Sequence, residues 1–582
     1  MSRKDRWSAL RTRYVQSWHA RRTASVAPAK GFVSSPEPRT IGSFARGRQL
    51  CAGNLMFAGH LIEARDADLW SLTPPDIAFI EETHGFGWLD DLAAVGDLPA
   101  RDVAQRWLGA WVAAYGNGSG PGWTPDLTGR RIIRWIHHAI FLIGGVDKDS
   151  SKAFFASLSH QAAFLSKTWR MTLPGLPRFE ALTGLIYAGL SLEGREELAS
   201  PAIDALAQEC AREISDQGGI PTRNPEELLE VFTLLIWAAM ALRETGRTVP
   251  EAHQAAIERI APTLRALRHA DGGLARFHGG GKGVDGRLDL ALAEAGIRKN
   301  ADGLAMGFAR LSAGRSTIIV DASSPPKGTA SFNGHASTLA FELTSGRRPL
   351  IVNCGSGAFF GEDWRRAGRA SPSHSVLSLE GYSSARLGRE NARSGLRREM
   401  LADVPEEVPV EMSSAPDGLR FEGGHNGYVV THGLTHARTL EVTFDGRGIV
   451  GEDLLIAIEK ADQALFDARM NEAKLGGIPF HIRFHLHPDV DAAIDLGGAA
   501  VSLALKSGEI WVFRHEGEAD MTLEPSVYLE TGRLRPRATK QIVLTHRAMG
   551  YATRLRWSFA KAQETAIAVR DLARDEIQFE ET

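Results

Sequence analysis

Histidine and arginine are the side chains in this sequence best placed for chemistry. An imidazole accepts or donates a proton near neutrality, and a guanidinium grips a carboxylate through two parallel N–H bonds. His335 lies in SFNGHAST and His374 in SPSHSVLS. Arg178 follows a Pro in LPRFE and Arg223 lies between two in PTRNPEE, where helices should begin. The two histidines could serve as base and acid. They read equally well as a hydrogen-bonded structural pair. Glu226 and Glu227, with Asp126 and Glu180, could supply the paired carboxylates of a glycoside hydrolase. Adjacent acids at a helix start also simply suit its dipole. His485 and His487 fall on one face of a strand, and with no third ligand apparent they read as structural. HGGGKG (278–283) lacks the Ser/Thr and spacing of a phosphate loop and reads as a flexible loop near a cleft. RRAGRAS (365–371) could hold acidic sugars through Arg366 and Arg369, or simply be solvated.

Two kinds of element must position these groups. Residues about 50–270 carry apolar side chains at helical spacing, with helices expected at 100–116, 129–145, 150–170, 178–193, 201–215, 225–244 and 250–268. From about 305 the pattern alternates, as in 315–323, 336–357, 374–381, 438–458, 480–490, 499–517, 540–548 and 551–560. TSGRR (344–348), DGRG (445–448) and KSGE (506–509) sit where hairpins should turn. Strands without intervening helices imply an antiparallel sandwich. The expected division is a basic extension 1–45, a ring of helical hairpins 46–304, a β-sandwich 305–562 and a charged tail 563–582.

Composition narrows the class. The chain has 582 residues, with 67 Lys and Arg against 70 Asp and Glu, a formal net charge of −3. Hydrophobic residues at 43% and charged residues at 24% fit a folded protein and exclude disordered, collagen-like and disulfide-stapled chains. The balanced charge argues against a nucleic-acid partner. Cys51, Cys210 and Cys354 are too scattered for a disulfide framework or zinc knuckle and read as buried free thiols. No transmembrane helix is expected. The first thirty residues lack a secretory signal's apolar core, so the expected location is cytoplasmic, with the periplasm left open. Trp7, Leu10, Tyr14 and Trp18 share helical spacing there, on a basic helix that packs on the body, stays mobile or touches a membrane surface. Thirteen Trp can serve a core or stack on sugar rings.

The stretch SFNGHASTLAFELTSGRRPLIVNCG (331–355), followed by WRRAGRASPSHSVLSLEG (364–381), resembles the heparinase II/III C-terminal domain. His335, Asn353, Gly355, Arg365, Arg366, Arg369 and His374 occupy its motif positions. HGFGWLDDL (84–92), PDLTGRRIIRWI (125–136), QGGIPTRNPEELLEVF (217–232) and LRHADGGLARFHGGG (267–281) resemble the helical part of bacterial members. The resemblance spans about residues 45–560. It implies an N-terminal (α/α) toroid of helical hairpins followed by a large antiparallel β-sandwich. It also implies a polysaccharide lyase that cleaves acidic, uronate-containing glycans by β-elimination in a cleft between the two. Elimination needs a group that neutralises the C6 carboxylate, a base for the C5 proton and an acid for the leaving oxygen. Some members hold a metal in the sandwich through two His and an Asp, which here would be His335, Asn353 and His374, for zinc or calcium.

The sequence departs where that chemistry is done. Lyase members carry Asn-His where this chain has Leu176 and Pro177, and a Tyr where it offers Glu226 and Glu227. Asn333 stands where lyases often have a second His, and Asn353 replaces the metal carboxylate. The candidate catalytic groups are therefore His335, His374, Arg223, Arg178, His84 and Glu227. Candidate substrate contacts are Trp88, Asn224, Asn333, Arg366 and Arg369, with Trp123 and Trp135 as further sugar platforms. The partner expected is an acidic oligosaccharide or polysaccharide, and a homodimer is open. A glycoside hydrolase and a non-catalytic glycan-binding protein are the alternatives.

Overall fold

The structure, a computed structural model, describes residues 3–34, 36–65, 67–393 and 396–562. The charged tail 563–582 lies outside the described residues. So do the side chains of Trp7 and Leu10, although the helix Arg3–Thr23 runs through both positions. Tyr14 and Trp18 on this helix are exposed. Among the described residues, no helix is long and apolar enough to cross a membrane.

The N-terminal half is a toroid of helical hairpins. Its main helices are Leu98–Tyr115, Pro125–His137, Lys148–Thr168, Leu176–Ser191, Ala199–Glu213, Pro225–Glu244 and Glu251–Ala266. Local chemistry starts several of them. Four carry Pro in the first turn, where its missing N–H costs nothing. Asp97, Asp147 and Asn224 accept first-turn N–H groups as N-caps. Two expectations needed correction here. The helix expected over 129–145 stops at His137, because His138 leaves helical geometry and its Nε2 pairs with Asp90 Oδ1 at 3.0 Å. Inside the region read as helical, Asn54–Phe57 pairs with His60–Glu63 as a β-hairpin, allowed by the positive φ of Gly53 (85°) and Gly59 (82°).

Two neighbouring helices approach closely through glycine. A Cβ added at Gly184 would lie 2.6 Å from the Gly129 Cα, so Pro125–His137 and Leu176–Ser191 touch backbone to backbone. Gly184→Ala is expected to cost about 1–3 kcal/mol by overpacking, read as a lower urea midpoint. An unchanged midpoint would mean the helices separate freely.

The C-terminal half is a sandwich whose strands pair antiparallel. One sheet runs Val410–Ala415, Gly418–Tyr428, Leu434–Thr443, Gly448–Ile456, Ala552–Lys561, Ile510–Glu516, Ala500–Ala504 and Asp491–Asp495 in spatial order. The other runs Asp520–Tyr528, Arg537–Ala548, Ile478–Leu486, Arg348–Val352, Phe341–Ser345, Ser316–Asp321 and Phe308–Ala313, with Leu377–Leu379 also pairing on Ile478–Leu486. Alternation places Phe341, Phe484, Phe513, Trp557 and Phe559 in the core, with Phe341 stacked on Trp557 at 5.8 Å between ring centroids. The three expected hairpins turn at Gly346, Gly446 and Gly508, all at positive φ. The helix Lys460–Glu472, closed by a Glu459–Asp462 capping box, was not legible from strand alternation.

Candidate functional site

Asp321 ends the inner strand Ser316–Asp321 and is fully buried. Its Oδ1 accepts from Arg223 Nη2 at 2.6 Å, and its Oδ2 accepts from Ser337 Oγ at 2.6 Å and faces His278 Nε2 at 3.4 Å. Burial alone would raise this carboxyl; Arg223, His278 and Ser337 reverse that and hold it well below the usual carboxylate range. Arg223 comes from the toroid, at the loop before Pro225–Glu244. Its guanidinium also donates to the carbonyls of Met306, Gly307, Ser323 and Ser324. It is thus a bolt through the seam between the two halves. Arg223, His278, Met306 and Leu339 all adopt positive φ, with values from 50 to 66°. Such strain persists only where the surroundings over-determine it.

From His278 a chain of imidazoles continues, and its tautomers follow from the partners. The His335 backbone N–H donates to His278 Nδ1 at 3.1 Å, so His278 carries its proton on Nε2, toward Asp321. His374 Nδ1 donates to the Ala370 carbonyl at 2.8 Å, which leaves Nε2 to accept from His335 Nδ1 at 3.0 Å. The remaining lone pair is on His335 Nε2, and no described residue donates to it. Burial drives His335 well below its ordinary value, reinforced by His374, and pushes His374 down to about 4. His335 is therefore a neutral, weakly basic acceptor.

A second buried chain lies in the adjoining sheet. The Gly427 N–H donates to His425 Nδ1 at 3.1 Å, His425 Nε2 to His436 Nδ1 at 3.2 Å, and His436 Nε2 to Asp453 Oδ1 at 2.7 Å. Arg438 and Trp557 satisfy the same carboxylate. Arg438 Nη1 reaches the carbonyls of Leu339 and Ser375, joining this chain to the backbone around His374.

The other expected site residues are placed as follows. Arg178 Nη2 donates to the Thr172 carbonyl at 2.7 Å, with Glu209 at 3.6 Å. Asn224 caps its helix, accepting from the N–H groups of Glu226 and Glu227. Glu226 is fixed by the Gly281 N–H at 2.7 Å. Glu227 is half-buried one position along the same helix. Asn333 is exposed beside Gly279, whose added Cβ would meet Asn333 Cβ at 2.8 Å. Arg366 pairs with Glu399 at 3.1 Å and is half exposed. Arg369, expected to contact sugar, is instead buried and donates to the carbonyls of Gly334, Ser331 and Glu399.

Several expectations are corrected by burial. Trp88, Trp123 and Trp135 are core residues of the toroid, not sugar platforms; Trp88 and Trp123 spend their N–H groups on the Thr83 and Tyr115 carbonyls. His84 belongs to the same core: its Nδ1 accepts from Trp111 Nε1 at 3.0 Å, and burial with the nearby Arg131 charge pushes it down to about 3. The Gly-rich segment 278–283 is not a free loop. It is wedged between Asn224 and Glu226 on one side and Asn333 on the other. Cys210 and Cys354 are buried thiols, but Cys51 is only half-buried.

The metal reading meets a donor set that does not fit. His335 and His374 spend facing nitrogens on each other. Asn353 Oδ1 accepts from the Ser375 N–H at 3.0 Å, and what remains is an N–H₂ donor. Among the described residues, no group of three or more His, Cys, Asp or Glu could hold a metal ion. Of the residues this site rests on, His278 and Asp321 were missed. His278 opens the HGGGKG segment, which was read for its glycines and not for its imidazole, and Asp321 is a lone acid in a strand with no spacing signal.

The architecture is shared with solved structures at low identity. Heparinase III superposes with a TM-score of 0.66 at 12% identity, over 94% of this chain and 89% of that one. A mutant of the heparan sulfate lyase HepC from Pedobacter heparinus gives 0.55 at 13%, over 94% and 88%. Toroid and sandwich together thus have the fold of heparinase III. Residues 297–558 match the family described as heparinase II/III-like, C-terminal, and the chain is 30% identical over 555 residues to FtsZ-localized protein C of Caulobacter vibrioides, covering 92% of this chain and 91% of that protein. The chain belongs to the heparinase II/III-like family.

Proposed function

We propose that this protein is a lyase-fold glycan-binding member of its family, which engages acidic glycan without cleaving it and acts together with FtsZ. One observation carries the reading. The Arg223 guanidinium, with Arg178 one of the two cations offered by sequence to neutralise a substrate C6 carboxylate, donates to four carbonyls and Asp321. A cation so committed has no donor left for substrate. Arg178 and Arg369 are held internally as well. Leu176 and Pro177 offer no amide in their place. The association with FtsZ is supported by the name of the relative from Caulobacter vibrioides.

A second reading is a working uronate lyase with His335 as base, favoured by its unpartnered Nε2. Its weak basicity opposes this, since a base pushed far below neutrality removes a carbon acid's proton poorly.

Prolonged incubation with a panel of acidic glycans should yield no unsaturated uronate absorbance, while the protein co-sediments with purified FtsZ polymers. Unsaturated product lost in His335→Ala would establish the lyase instead. Saturated reducing ends would point to hydrolysis. Failure to co-sediment would remove FtsZ as the partner.

A further inference from the structure

Where the helix Glu251–Ala266 meets the sandwich, Arg265, Arg268 and Arg310 line a cavity of about 580 Å³ with His269, Asn300 and Ala301. This lies within the ~300–1,000 Å³ range of small-molecule sites. The cavity shares no lining residue with the chain around Asp321.

Arg310 stands on the strand Phe308–Ala313 and crosses to the end of Glu251–Ala266. Its Nη1 donates to the carbonyls of Ala266 at 2.9 Å and Arg268 at 2.7 Å, which uses both Nη1 hydrogens. Those bonds make it a cation at a helix C-terminus, a favourable structural role. That role leaves the Nε–Nη2 edge unexplained. This edge has no partner among the described residues, and Arg310 forms no ion pair there. It is the edge that meets a carboxylate or phosphate in a two-bond fork. Partial burial acts on Arg310 with no nearby acid to offset it.

The neighbouring charges do not fill the gap. Arg268 pairs with Asp289 at 2.7 Å but keeps a buried Nε without a partner. Arg265 is fixed by the carbonyls of Lys299 and Ile297. His269 is held by Glu342 at 2.9 Å. Three guanidiniums thus converge on a cavity lined by no acid, and the acids that reach them, Asp289 and Glu342, pair with Arg268 and His269. A half-buried guanidinium with an open two-donor edge is a ready seat for an anion that can bond to both donors.

We propose that this cavity binds a small ligand through a carboxylate or phosphate group, seated on the Nε–Nη2 edge of Arg310 and backed by Arg265 and Arg268. The size suits a sugar acid or a sugar phosphate.

The test is calorimetric titration of the full-length protein with inorganic phosphate and, separately, with glucuronate. Binding of either probe at one site per chain is expected, weakened by about tenfold or more in Arg310→Met. Tighter phosphate binding identifies a phosphate ligand, and tighter glucuronate binding a carboxylate ligand. Because Arg310 also caps a helix, Ala301→Asp is the companion variant. It places a carboxylate on the cavity wall, leaves the Arg310 bonds intact, and should weaken binding without lowering the melting temperature. No binding of either probe up to the order of 10 mM, or binding unchanged in both variants, would overturn the assignment.

Discussion

Acidification from pH 7 to about pH 5 is expected to unfold this protein cooperatively, above the pH at which its depressed carboxylates are lost. The cause is a set of histidines buried in the neutral form. Burial pushes His84, His137 and His485 down to about 3, and His253 and His374 to about 4. In the unfolded chain each returns to about 6.5. A group depressed in the folded state contributes its stability fully above the unfolded value and loses it as pH falls toward the folded one. The sensitive window therefore opens at about 6.5 and extends toward 4. At pH 5 each imidazole favours the unfolded state by about 2 kcal/mol, from about 1.4 kcal/mol per pH unit. Five together approach about 10 kcal/mol; Glu180, raised by burial to about 7, offsets about 2 kcal/mol of this, and the rest is comparable with the whole stability of ~5–15 kcal/mol. Asp321 and Asp453 are depressed too, but their loss begins only as pH falls below the ordinary carboxylate value of about 4. Circular dichroism against pH, with the slope giving proton uptake, measures this directly. A native spectrum at pH 4.5 would refute it.

Removing the Arg223 guanidinium should have the largest effect of any single substitution in the seam. Arg223→Met leaves Asp321 charged and fully buried, with only Ser337 and the long contact to His278 to satisfy it. It also strips donors from four carbonyls. Breaking a buried pair from one side costs about 3–5 kcal/mol, because the remaining charge has no compensation. Arg223→Lys should recover little, since a single ammonium with three hydrogens cannot span five acceptors. Arg223→Met combined with Asp321→Asn should be less destabilised than the two single costs added, because the stranded charge is gone. Urea unfolding of these variants and of Asp321→Asn alone decides it. A loss below about 1 kcal/mol in Arg223→Met would reduce the bolt to an ordinary surface ion pair.

Much of the architecture was legible in advance. Helical spacing in the first half and alternation in the second are direct signatures of which faces are buried. The starts near Pro125, Pro177 and Pro225, and the turns at Gly346, Gly446 and Gly508, are local properties of those residues. The hairpin Asn54–Phe57 with His60–Glu63 was missed because four-residue strands carry too little periodicity to outweigh helical surroundings. The Trp reading failed for a different reason. A Trp on a helix looks the same in sequence whether its outer face meets solvent or another helix, and here Trp88, Trp107, Trp111 and Trp135 meet one another in the toroid.

The candidate site divides in the same way. Sequence singled out His335 and His374, and they do face each other at 3.0 Å. It also singled out Arg223, but as a free cation, when its charge is spent on Asp321 nearly a hundred positions away. Sequence by itself determined the class of the long elements, the order of the helical and strand halves and the residue types available for chemistry, because these follow from local propensity and side-chain period. Only the tertiary structure decided which charges remain available. A guanidinium's role depends on what lies within about 3 Å of it, and that neighbourhood is assembled from segments far apart in the chain.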